Sequence, residues 1–253
     1  MSERVLVISP HPDDEAIGCG GTLRKHVVDG SRIRVLFLTS GERGGHGLAQ
    51  EETRRRREQE SRDSAALLGT HEIEFWRERD GALRASRSLT ERLASAIAPY
   101  RPQLIYVPND IESHPDHRAA ARLVKAAQGF VSYRPKVLMY EVWTPLTEID
   151  EIVDITPYID AKLEAVRAYT SQCAVLRFDD AFLGFFRLEA EDFDGLFGLL
   201  PGQARADRLY PYCEFVKTPA AFDATGVKVT ARELLRRHLA RRPATNPIRA
   251  YGA

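Results

Sequence analysis

Short runs of β-branched and other apolar residues recur along this chain, each separated from the next by a segment of helix length. Strands joined in this way lie parallel, with the connecting helices covering the sheet. Residues 4–8, 33–39, 72–76, 104–107 and 137–142 read as strands. Between them, 18–29 (stopped by Gly30), 53–68 (stopped by Gly69), 89–98 (ended before Pro99) and 116–128 read as helices. A further strand over 152–155 and a helix over 159–169 follow.

The pattern predicts a Rossmann-like, doubly wound, mostly parallel α/β sheet in one domain over 1–216. A C-terminal helix (231–242, basic) and a Pro-rich tail occupy 217–253. A chain of 253 residues is long enough to bury the core that such a sheet needs. Lys+Arg and Asp+Glu both number 36, so neither nucleic acid nor an anionic membrane is indicated as a partner. The apolar stretch 5–8 is too short for a signal-peptide core. No run is long enough to span a bilayer. Cys19, Cys173 and Cys213 are odd in number and far apart, unlike a disulfide framework. The expectation is a cytoplasmic protein without a membrane span.

Two clusters carry the chemistry. Ser9-Pro10-His11-Pro12-Asp13-Asp14-Glu15 follows the first predicted strand, and His114-Pro115-Asp116-His117 follows the fourth. In a doubly wound sheet these two strands are neighbours whose connections leave in opposite directions. The crevice outside their carboxyl ends is then the expected ligand site. Neutral imidazole and carboxylate suit zinc or another borderline divalent ion, and a catalytic site keeps three such ligands and one open position. His11, Asp14 and His117 supply that set, for one ion per chain, with zinc expected and Fe(II) the alternative. Asp13 is placed to act as general base. His114, charged and held in its tautomer by Asp116, is placed to stabilise an oxyanion or protonate a leaving nitrogen.

His11-Pro12-Asp13-Asp14-Glu15, then Gly18-Cys19-Gly20-Gly21-Thr22, with His114-Pro115-Asp116-His117 downstream, resemble the LmbE or PIG-L family of de-N-acetylases over roughly residues 4–175. The resemblance implies that His11, Asp14 and His117 bind the metal, that Asp13 is the base and that His114 is the electrostatic partner. It implies removal of an N-acetyl group from an amino sugar or N-acetylglucosaminyl-type glycoside, giving free amine and acetate. Two positions depart from the family pattern: Glu112, where others carry Asp or a pocket tyrosine, and Ser113, where a basic residue is common.

Substrate contacts are expected from Glu42 in the loop after the second strand, Asp80 after the third and Trp143 after the fifth. They are also expected from one inward-facing arginine of the 54–57 run, Arg57 in preference to Arg56. Ser171-Gln172 recurs in the family, with a structural role. The partner is a small N-acetylated sugar or glycoside, with a homo-oligomer open. The aromatic stretch around Phe178, Phe182, Phe185 and Phe186, within the loop 177–210, reads equally as pocket wall or oligomer contact. Two alternatives remain: an amidase acting on a thiol-sugar conjugate, and a non-catalytic Rossmann-type nucleotide- or sugar-binding protein. Against nucleotide binding, the glycines after the first strand do not make G-x-G-x-x-G, and an acidic block fills the turn where phosphate needs free amides.

Overall fold

A computed structural model of the chain describes residues 2–147, 149–175 and 213–218. Its strands are β1 (Arg4–Ser9), β2 (Arg32–Thr39), β3 (Glu72–Glu78), β4 (Leu104–Pro108), β5 (Lys136–Tyr140), β6 (Glu151–Asp154) and β7 (Cys213–Lys217). The helices are α1 (Asp14–Val28), α2 (Gln50–Leu68), α3 (Arg87–Tyr100), α4 (Pro115–Ala127), α5 (Ile159–Arg167) and α6 (Thr170–Cys173). The strands form one sheet in the order β3-β2-β1-β4-β5-β7-β6. β1 to β5 are mutually parallel, while β7 runs antiparallel to both its neighbours.

Central β1 is buried on both faces, so it reads as a continuous apolar run rather than an alternation. Its side chains divide between two cores. Val5 and Val7 pack with Val35, Phe37, Tyr140, Ile17 and Leu23 against α1, α2 and α5. Leu6 and Ile8 pack with Leu36, Leu38, Val107, Leu93 and Val124 against α3 and α4. α1 and α4 therefore leave adjacent strands towards opposite faces, and the crevice opens between their N-termini.

The elements differ from expectation at several bounds. α1 starts at Asp14, not 18, and is kinked at Cys19, whose φ of −142° is not helical. α3 continues through Pro99 to Tyr100. Proline is tolerated one residue from a helix end more readily than in the interior, and Arg101 then stops the helix in a left-handed conformation. β5 ends at Tyr140, two residues early. β7 was not anticipated at all. The predicted helix over 231–242 and the aromatic stretch 177–210 lie outside the described residues.

Candidate metal centre

β1 ends at Ser9, and α1 begins at Asp14 after four intervening residues. The turn between is closed by the Asp14 carboxylate, which accepts the His11 amide at 2.9 Å and so stands beside the His11 ring. Asp13 occupies the helix N-cap position at φ 111° and makes no capping bond with its side chain. A non-glycine residue in that region is strained and persists only where its surroundings enforce it. Across the crevice Pro115 sits in the first turn of α4, where its missing N–H costs nothing, and the His114 ring nitrogen Nδ1 caps the helix by accepting the Asp116 amide at 3.2 Å. His117 then faces inward, fully buried.

Topology brings the two clusters together. His11 Nδ1 lies 3.1 Å from Asp14 Oδ2 and 3.3 Å from His117 Nε2, and those two atoms are 3.1 Å apart. Three donors sharing one tetrahedral zinc at about 2.0–2.1 Å would be separated by about 3.3 Å. The donor set and its spacing therefore fit a divalent ion. The charge arrangement fits as well. Burial opposes protonation of His11, but hydrogen bonds to Asp116, Asp14 and Asp80 raise it well above the imidazole range. Burial likewise opposes it in His117, yet Asp14 lifts that ring to about 9. His114 brings a ring nitrogen within 4.8 Å of both other rings, but its Nδ1 is taken by the Asp116 amide.

Asp13 is buried, and burial lifts its carboxyl to about 7 against the opposing pull of Arg57. Arg57 donates to Asp13 Oδ2 at 3.0 Å, to Gly41 O at 3.0 Å and to Pro12 O. The inward arginine of α2 is thus Arg57, and Arg56 lies outside against Glu60 and Thr170. Arg57 lines the cavity, but its contacts hold Asp13 and the turns at Pro12 and Gly41 instead of pointing outward as expected of a substrate contact.

Asp116 is also placed differently from expectation. Its carboxylate accepts the amides of Gly81 (2.7 Å) and Leu83 (3.1 Å) and lies 3.3 Å from His11 Nε2, so it orients the His11 ring instead of His114. Asp80 Oδ1 approaches the same nitrogen at 3.3 Å. His114 is not held charged: burial and the His11 and His117 rings push it below the usual imidazole range. With Nδ1 accepting, its neutral form carries the proton on Nε2. Glu42 turns inward, accepting the Asp80 amide at 2.9 Å.

A cavity of about 380 Å³ opens over these groups, lined by His11, Asp13, Asp14, Asp80, His114 and Trp143, among others. Trp143 is 46% exposed on its rim. Arg43, His46 and Gln172 also line it. The expectation for Gln172 is only a structural part, yet it lines the cavity. Its amide reaches Gly44 O at 3.1 Å because Glu60 of α2 binds Thr170 and Ser171 and pins α6 beside the loop after β2. Arg43 and His46 carried no periodic or spacing signal.

Residues 6–128 match the PIG-L family, described as GlcNAc-PI de-N-acetylase. The chain is 32% identical over 192 residues to a diacetylchitobiose deacetylase of Thermococcus kodakarensis, covering 67% of this chain and 70% of the relative. Its fold is similar to that of N,N'-diacetylchitobiose deacetylase from Pyrococcus horikoshii, with TM-score 0.69 and 27% identity over 85% of this chain and 83% of the other. It also resembles, in fold alone, GalB, the 4-carboxy-2-hydroxymuconate hydratase of Pseudomonas putida KT2440 (TM-score 0.71, 21% identity, 85% of this chain and 95% of the other).

Proposed function

Because this chain belongs to the PIG-L family of de-N-acetylases, we propose that it hydrolyses the N-acetyl group of a small amino sugar or N-acetylglucosaminyl-type glycoside, releasing acetate and a free amine. The observation that carries the reading is the convergence of His11, Asp14 and His117 on one point, with the buried carboxylate of Asp13 beside it and an open cavity above.

His11, Asp14 and His117 would hold the ion, zinc by ligand type with Fe(II) as the alternative. That ion would polarise the acetamide carbonyl and acidify a water in the site. Asp13, whose burial makes it a far stronger base than an exposed aspartate, takes a proton from the attacking water. Arg57 fixes its carboxylate for that transfer. As the carbonyl carbon becomes tetrahedral, the Nε2–H of neutral His114 donates to the developing oxyanion. The proton held on Asp13 passes to the nitrogen as the C–N bond breaks. Trp143 at the rim offers an apolar face to the sugar ring, and Asp80 a hydroxyl acceptor.

A thiol-sugar amidase would use the same groups and differs only in the acid it releases. The nucleotide-binding alternative is disfavoured by the buried Asp13, Asp14 and Glu15 at the α1 N-terminus, where phosphate would have to sit. The test is to load the protein with zinc and incubate it with N-acetylated sugars and glycosides, N,N'-diacetylchitobiose included, while measuring acetate. Zinc-loaded protein that frees no acetate from any of them overturns the reading.

A further inference from the structure

Glu112 is fully buried, and its carboxylate gathers an unusual set of partners. Oε1 accepts the amides of Val142 at 2.7 Å, Trp143 at 3.0 Å and Thr144 at 3.3 Å, together with the Asn109 side chain at 3.3 Å. Oε2 accepts the Trp143 amide at 3.2 Å and faces His117 Nδ1 at 3.8 Å. His117 Nδ1 is itself buried and has no hydrogen-bond partner. A buried polar atom left unpaired is costly, and 3.8 Å is too long for a hydrogen bond. One carboxylate therefore stands between an unsatisfied atom of a metal-ligand histidine and the backbone of the turn that carries the rim tryptophan.

When Nε2 of a histidine serves as ligand, its proton must sit on Nδ1, and an oriented acceptor for that proton raises the ligand's basicity. The acceptor within reach of His117 is Glu112 Oε2. Closing the remaining gap moves a carboxylate that three successive amides grip, so the turn cannot be indifferent to it. We propose that Glu112 is a positioning residue that couples occupancy of the metal site at His117 to the placement of Trp143 on the substrate rim. The longer side chain of Glu at a position where an Asp would stop one methylene short allows it to reach both. The inference rests on His117 being a metal ligand, and the site and the rim then form one unit, ordered for substrate only when the ion is bound.

The test uses the full chain labelled with 5-fluorotryptophan, whose two 19F resonances, from Trp76 and Trp143, are assigned with Trp143→Phe. Zinc alone is titrated into metal-free protein. The Trp143 resonance is expected to shift and that of Trp76, in the core across the sheet, to stay. In Glu112→Gln, zinc affinity is expected to fall about 10- to 100-fold, and the Trp143 shift at saturating zinc to disappear. Zinc that binds the wild type while Trp143 stays silent overturns the coupling, and this needs no variant to fold. A Gln variant that keeps either the affinity or the shift also overturns it. Failure of the wild type to bind zinc sinks the metal reading itself, which separates the two ideas.

Discussion

The guanidinium of Arg57 reaches 44 residues back along the chain to sit 3.0 Å from the carboxylate of Asp13, and both groups are buried. The same guanidinium binds the carbonyls of Pro12 and Gly41. Asp13 is thereby held at a positive φ that its own sequence would not choose. Arg57 does two jobs: it keeps the strained turn in place and tempers the carboxyl that burial alone would drive higher.

Removing that charge should therefore impair the base without emptying the metal site. Arg57→Gln is expected to lower kcat by about 10²-fold, the scale of a misplaced general base, with zinc content unchanged by elemental analysis. Since Arg57 pulls the Asp13 carboxyl down, its loss leaves Asp13 protonated at higher pH. The acid limb of the kcat/KM profile should move upward in pH. A limb that stays put, or moves down, would show that the arginine does not act on this carboxylate.

Metal removal makes a separate prediction. Extraction with a chelator should abolish deacetylation and lower Tm, because an ion binding only the folded state stabilises it by mass action. His117→Ala should fail to regain zinc, whereas Asp13→Asn should bind zinc and lose most turnover, on the order of 10²–10⁴-fold. Equal zinc content and equal residual activity in the two variants would overturn the division of roles.

Acid stability has its own reporter. Glu58 is buried beneath Ser40 and Arg77, which donate to it at 2.8 Å each. Burial raises this carboxyl, but the Arg77 and Ser40 bonds outweigh it and the net displacement is downward. A carboxyl depressed in the folded state contributes stability above its unfolded value, about 4.3. That contribution is lost as pH falls through the lower folded value. Urea denaturation should show Glu58→Gln weaker than wild type at pH 7 and the difference closing below about pH 4. A gap that persists unchanged into acid would assign the effect to packing instead of charge.

The sheet, and the meeting of His11, Asp14 and His117 at one point, were legible because they rest on short-range rules. A strand-to-helix alternation fixes which strands adjoin, and His11, Asp14 and His117 all lie where β1 and β4 hand over to α1 and α4. What was not legible depended on contacts made across the fold. Asp116 follows His114 by two residues, so the two read as a pair, yet the turn at Gly81 and Leu83 draws its carboxylate to His11. Arg57 could be assigned to the inward face of its helix, but the sequence does not say that the cavity wall it meets is Asp13. Antiparallel β7 breaks the parallel strand-and-helix alternation from which the other strands were read.

That unannounced strand supplies the residue behind the last prediction. α1 breaks at Cys19, and the amides just past the break, Gly21 and Thr22, donate to the buried Glu214 of β7 at 2.9 and 2.7 Å. Lys162 of α5 completes the cluster, donating to Glu214 at 2.6 Å and to Ile17 O at 2.7 Å. Glu214→Ala would take the buried carboxylate away from the Lys162 ammonium and from two amides together, which costs about 3–5 kcal/mol for the broken ion pair. Lys162→Met alone leaves the carboxylate two amide partners, so its cost should be smaller. Combining the two changes should recover part of the Glu214→Ala loss, because the buried positive charge that lost its carboxylate is then gone. Chemical denaturation of the three variants checks this cycle. Additive losses would mean that Lys162 and Glu214 act independently, and that the kink of α1 is held by the amide bonds alone.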